Sequence, residues 1–259
     1  MLIPFHAPAG VAAPEQALAQ EHWQWLAERV YQNECAGRES CLTSWNEGEE
    51  FPSLGIGHFI WYPAGQSGPF VEAFPGLVRH LQTSGVTLPA WLTEAADSGA
   101  PWPSRSEFYA EFDSPKMEQL RHLLASTQRE QVEYIVQRFF LALPNILTYF
   151  PDERRAHVSA TIDALAASAP PYGLYALIDY VHFKGTGLSP QERYQSQGWG
   201  LVQVLDAMAE SQADTSLERY IDAAERVLAR RVLNAPPARN EQRWLAGWHR
   251  RLQSYRPPP

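Results

Sequence analysis

The chain has 259 residues, 45% of them apolar and 12% aromatic, which is ample for a sizeable core and too apolar for a disordered chain. A net charge of −8 and a pI near 5.5 argue against the basic stripe of a nucleic-acid binder, so no nucleic-acid partner is expected. No run of about 18 apolar residues occurs, so no transmembrane segment is expected either.

The N-terminus lacks the basic and apolar regions of a signal peptide, and Pro4 to Pro14 reads as a loose leader. A first helix is predicted from about Pro14 to Glu34, with the apolar stripe Trp23, Leu26, Ala27 and Val30. Cys35 to Gly48 reads as a loop. Leu54 to Tyr62, `LGIGHFIWY`, reads as a short strand whose glycines admit close approach of backbone or ligand. Pro63 to Gly68 is a turn and Pro69 to Gln82 a helix.

Ser84 to Pro115 reads as mostly irregular, a subdomain joint or cleft wall. Beyond it, helices are expected at Pro115–Ser126, Arg129–Leu143, Arg154–Ser168, Pro171–Phe183, Pro190–Ser211, Ser216–Leu233 and Asn240–Tyr255, punctuated by prolines. A small β element near residues 51–62 within a helical chain gives an α+β class, predominantly α. The whole chain reads as one domain, with a catalytic helix and β element over 14–84 and a helical lobe over 115–259.

Cys35 and Cys41 sit six positions apart. They read equally as a disulfide, which would imply an oxidising compartment, or as two free thiols. A metal pair is not expected, because there is no CxxC spacing and no histidine cluster nearby in sequence. The eight histidines (His6, His22, His58, His80, His122, His157, His182, His249) show no ligand spacing, so no metal and no cofactor is expected. Neither GxSxG, HExxH nor a P-loop occurs.

Glu34 continues the apolar stripe of the first helix and ends it. A carboxylate on a buried face, at the negative end of a helix dipole, has its charged form disfavoured. That is the property a general acid needs near neutral pH. The bland alternative is a helix-end glutamate turned to solvent or paired with Arg38.

The segment `ECAGRESCLTSWNEGEEFPSLGIGHFIWYP` resembles the phage-type lysozymes of the lysozyme-like superfamily. In that family a catalytic glutamate ends the first helix and is followed by an acidic residue on a β-loop and a T-x-G-x-G-H strand. Ser53 stands where the family has threonine, and Gly55, Gly57 and His58 match directly. At the family's spacing the acidic residue falls on Glu47, with Glu49 and Glu50 as rivals. The family usually has aspartate there, and the intervening loop is longer here. The likeness spans about residues 23–62.

The resemblance implies a lysozyme-like helical fold with Glu34, Glu47 and Ser53 as catalytic residues. Glu34 would be the acid, Glu47 the second carboxylate that handles water or the oxocarbenium-like centre, and Ser53 a holder of the water. Glu50 and His58 would lie at the substrate, with His58 bracing the loop.

A second segment, `YGLYALIDYVHFKGTG...ERYQSQGWGLVQVL`, bears a faint likeness to the `GLMQ` helix of goose-type lysozymes and lytic transglycosylases. On that likeness Asp179, Tyr180, Lys184, Trp199 and Gln203 would line a sugar groove. The alternative is a turn between two packed helices, with Asp179 satisfied by Arg193 or Lys184. `RWLAGWHRR` reads as a basic or simply amphipathic closing helix.

The expected activity is therefore hydrolysis of β-1,4 bonds in peptidoglycan or a related amino-sugar polymer, with a polysaccharide as partner. A periplasmic or secreted location is favoured. The rival readings are a catalytically silent glycan-binding or scaffold protein of the same fold and a chitosanase-like hydrolase. Substrate, stereochemical outcome and oligomeric state are left open by the sequence.

Overall fold

The structure is a computed structural model that describes residues 18–68, 70–190 and 192–258. The expected leader and the expected starts at Pro14 and Pro69 fall outside the described residues. The chain is predominantly helical with small antiparallel sheets, the α+β class read from sequence. It divides into two compact units, Trp23–Gln137 and, chiefly, the residues from Arg138 onward.

The first unit takes in α1 (Gln20–Cys35) from Trp23 onward, and the helix buries Trp23, Leu26, Ala27 and Val30 as its helical spacing requires. A 3-10 turn (Glu39–Leu42) leads into a three-stranded antiparallel sheet of two-residue strands, β1 (Thr43–Ser44), β2 (Ser53–Leu54) and β3 (Phe59–Ile60). Ser44 pairs with Ser53, and Leu54 pairs with Phe59. The 54–62 segment is thus a hairpin and not one strand. Gly55 at φ 71° and His58 at φ 44° are left-handed and turn the chain back within four residues, Gly55 to His58.

Helices α2 (Phe74–Thr83), α3 (Ala90–Ala95), α4 (Arg105–Ala110) and α5 (Pro115–Ser126) follow. The stretch read as mostly irregular therefore holds two short helices, and it lies wholly inside the first unit. α5 has the bounds expected of it. Ser114 caps it by accepting from the Met117 N–H, and Pro115 occupies the first turn, where no N–H is needed. Trp61, Phe74, Trp102 and Phe108 form an aromatic core, with Trp61 4.8 Å from Phe74 and Trp102 5.1 Å from Phe108 between ring centres.

Helix α6 (Gln128–Leu147) runs through the division between the units. It continues past Pro144, where the sequence suggested a stop. A proline this close to a helix end forfeits a hydrogen bond only in the last turns, so the helix survives it.

The second unit contains α7 (Asp152–Ala166), α8 (Tyr172–Lys184), α9 (Leu201–Ala207), α10 (Ser216–Asn234) and α11 (Gln242–Gln253). The helix expected from Pro190 is broken. A second hairpin, β4 (Arg193–Tyr194) and β5 (Gln197–Gly198), occupies its first half. Its two central residues, Gln195 and Ser196, both have positive φ (50° and 65°), the backbone of a type I′ turn. Among the described residues, no helix is long and apolar enough to cross a membrane.

Candidate functional site

In the first unit, chemistry gathers where the C-terminal end of α1 meets the `GIGH` turn. Glu34 has a side chain only 13% exposed, and its Oε2 lies 3.7 Å from Nδ1 of His58. On the other side of the same imidazole, Nε2 lies 3.5 Å from Cys41 Sγ and 4.0 Å from Cys35 Sγ. Cys35 and Cys41 form a disulfide, with Cα atoms 5.3 Å apart, which decides between the two readings of the pair. Sequence spacing gave no hint that His58 stands over both sulfurs, because the hairpin turn delivers it from 17 residues beyond Cys41.

Gln131 of α6 fixes the turn from beneath. Its amide is fully buried, Oε1 accepts from the Ile56 N–H at 2.9 Å, and Nε2 donates to Leu124 O at 2.7 Å and Thr127 Oγ1 at 3.2 Å. A Cβ at Gly55 would lie 2.3 Å from Gln131 Oε1, and one at Gly57 would lie 2.5 Å from the Phe59 ring. The space left by both glycines is thus filled by the protein itself.

The acidic loop hangs between β1 and β2. Trp45 is buried at its base, where its carbonyl accepts from Arg105 Nε at 2.8 Å and from the Tyr109 hydroxyl at 3.2 Å. The Trp45 indole donates to Glu49 O at 2.7 Å, and Asn46 Nδ2 donates to the Glu49 carboxylate at 3.1 Å. Phe51, buried beside Tyr62, closes the far end of the loop. Glu49 is thus tied into the loop, whereas Glu47 and Glu50 are exposed on it. Ser53, on β2, is buried, and its carbonyl accepts from the Ser44 hydroxyl. Glu34, Glu47, Glu50, Ser53 and His58 therefore all belong to one unit.

The other five expected substrate residues belong to the second unit. Three of them are internal structural groups. Asp179 is 3% exposed, takes both ends of the Arg251 guanidinium at 2.8 Å, and accepts from the Tyr255 hydroxyl at 2.7 Å. Arg251 thus holds it, where the sequence suggested Arg193 or Lys184. Tyr180 is fully buried and donates to Trp199 O at 2.8 Å; burial pushes its hydroxyl pKa far above the usual range. Gln203 caps α9, accepting from the Gly200 N–H at 2.9 Å and donating to Gly187 O at 3.2 Å. Each of the three is held inside the fold by these bonds, the structural role that the alternative of a turn between packed helices gives this segment.

Trp199 is also mostly buried, its ring 4.7 Å from Tyr194 and 4.0 Å from the Arg231 guanidinium carbon. Lys184 is half-buried, with Nζ 3.6 Å from the centre of the Trp248 ring and 3.9 Å from that of Phe183. Burial lowers its pKa to about 6; the positive charges of Arg231 and Arg251 act in the same sense, and Glu241 opposes them. Glu241, which sequence reasoning did not single out, is buried and bound by Arg231 through two hydrogen bonds, at 2.7 and 2.9 Å, and by the Tyr194 hydroxyl at 2.8 Å. Burial alone would raise its pKa, but the hydrogen bonds from Arg231 and Tyr194 hold it below the usual value.

An open groove of about 640 Å³ in the first unit is lined by Leu88, Trp91, His122 and Leu123 among others, and by none of the residues around Glu34. Comparison of the chain with protein-family models, with curated proteins and with solved structures finds no match.

Proposed function

We propose that the chain is a glycan hydrolase of lysozyme-like type that uses Glu34 as its acid on β-1,4 bonds of peptidoglycan or a related amino-sugar polymer. The observation that carries this reading is a shielded carboxylate at the end of the first helix, set against the `GIGH` turn through His58. Support comes from the β1–β2 loop of the same unit, which presents Glu47 and Glu50 to solvent. Glycoside hydrolysis needs an acid for the leaving oxygen and a second carboxylate for the water or the sugar cation. Between the exposed pair, Glu47 keeps its role by motif position, with Glu50 as its alternate.

The Cys35–Cys41 disulfide adds support for work in an oxidising compartment such as the periplasm or the cell exterior, where the proposed substrate is found. The test is turnover of peptidoglycan and amino-sugar oligomers by the wild type and by Glu34→Gln. Loss of cleavage in the variant, with its fold kept, supports the acid assignment. Binding of a polymer without cleavage by the wild type would instead favour a silent glycan-binding protein.

A further inference from the structure

We infer that, once its disulfide is reduced, the protein binds a zinc ion through Cys35, Cys41 and His58. The sulfurs and Nε2 of His58 all lie within 4.8 Å of one another, and the Nε2–sulfur separations are 3.5 and 4.0 Å. A tetrahedral zinc with Zn–N of about 2.0–2.1 Å and Zn–S of about 2.3 Å requires N···S edges of roughly 3.6 Å. The imidazole therefore already stands where a ligand would stand.

What must change is the sulfur pair. Reduction by a dithiol breaks the S–S bond, leaving two thiols and an oxidised disulfide on the reductant. The two sulfurs then separate to roughly 3.8 Å, the S···S edge of such a site. Cα atoms 5.3 Å apart on a short loop leave this to side-chain rotation. On binding, each thiol gives its proton to solvent, and zinc takes two thiolates, one imidazole and a water. Two soft sulfurs with one imidazole favour zinc over magnesium or calcium, which take oxygen.

Two further features fit. With Nε2 on the metal, the His58 Nδ1–H faces Glu34 Oε2, at 3.7 Å, the place of the carboxylate that orients a zinc-bound histidine. His58 also keeps a left-handed backbone, uncommon for a residue other than glycine, and that conformation aims its ring at the sulfurs.

The test uses metal alone, so its outcome is separate from that of the glycan reading. The whole chain is reduced, freed of reductant without air, and titrated with Co²⁺ and then Zn²⁺. A thiolate-to-cobalt absorption with the intense visible bands of a tetrahedral ion should appear at one equivalent and vanish on zinc addition. It should be absent from the disulfide form, from Cys41→Ser and from His58→Ala. Glu34→Gln should bind about 10–100-fold more weakly. His58→Ala keeps both cysteines, so circular dichroism of its oxidised form controls for folding. Equal binding by His58→Ala or by the oxidised chain would overturn the inference. So would a reduced chain that is unfolded and that zinc does not restore.

Discussion

The Glu34 carboxylate and the His58 imidazole face one another at 3.7 Å, joining the end of α1 to the turn between β2 and β3. Glu34→Gln preserves the shape of this contact and removes the transferable proton. Cleavage of amino-sugar polymers should fall by at least about 10²-fold, the usual contribution of a general acid, with the melting temperature little changed. Glu47→Gln should also slow cleavage, by less if Glu50 takes over its role. Undiminished turnover in Glu34→Gln would show that the proton comes from elsewhere.

Gln131 holds the turn that presents His58. Gln131→Leu removes the acceptor of the buried Ile56 N–H, and an unsatisfied buried donor costs about 1–3 kcal/mol. Gly55→Ala should destabilise through the same place, by adding a methyl against Gln131 and straining a left-handed backbone. Urea unfolding of both variants checks this. Wild-type stability in Gln131→Leu would mean that water replaces the amide.

These two contacts also show where sequence reading ran out. The first helix, the capped start of α5 and the class were legible because apolar spacing, Ser114–Pro115 and the prolines are local signals. The turn was not, because the glutamine that braces it at Ile56 lies 75 residues further along the chain. The β4–β5 hairpin was missed for another reason. Its turn is Gln195–Ser196, without the Asn-Gly or Asp-Gly that advertises positive φ. Within the candidate site, Glu34 and His58 were read as parts of one motif, and only the fold shows that they face one another beside the disulfide. For Asp179 the sequence offered a groove residue or an ion-paired one without naming Arg251, because that partner lies 72 residues further along the chain.

Asp179→Ala separates the structural role of this residue from a role at the substrate. The Asp179 side chain is 2% exposed and that of Arg251 17%, so the substitution removes the carboxylate that binds a largely buried guanidinium and the Tyr255 hydroxyl. Breaking such a pair from one side costs about 3–5 kcal/mol. Chemical denaturation should show that loss, while KM for any cleaved glycan should stay unchanged in whatever fraction remains folded. A raised KM with stability intact would return Asp179 to the substrate.

Lys184 should make stability depend on pH in the alkaline direction. Its pKa in the folded protein falls from 10.5 to about 6, through burial first and the neighbouring Arg231 and Arg251 charges after it; the carboxylate of Glu241 opposes them. The faces of Trp248 and Phe183 return part of that loss by attracting the ammonium. Between those two values the unfolded chain binds a proton that the folded chain lacks. Stability from this group therefore rises as pH climbs from about 6 to 10.5 and is lost on acidification across the same window. Lys184→Met keeps an apolar stem and removes the titration. Its melting temperature should exceed that of the wild type at pH 7, and the advantage should shrink steadily towards pH 10. Thermal melts of the two proteins at matched ionic strength decide it. A difference between them that is constant across that range would mean that Lys184 stays charged in the fold, held by the two rings.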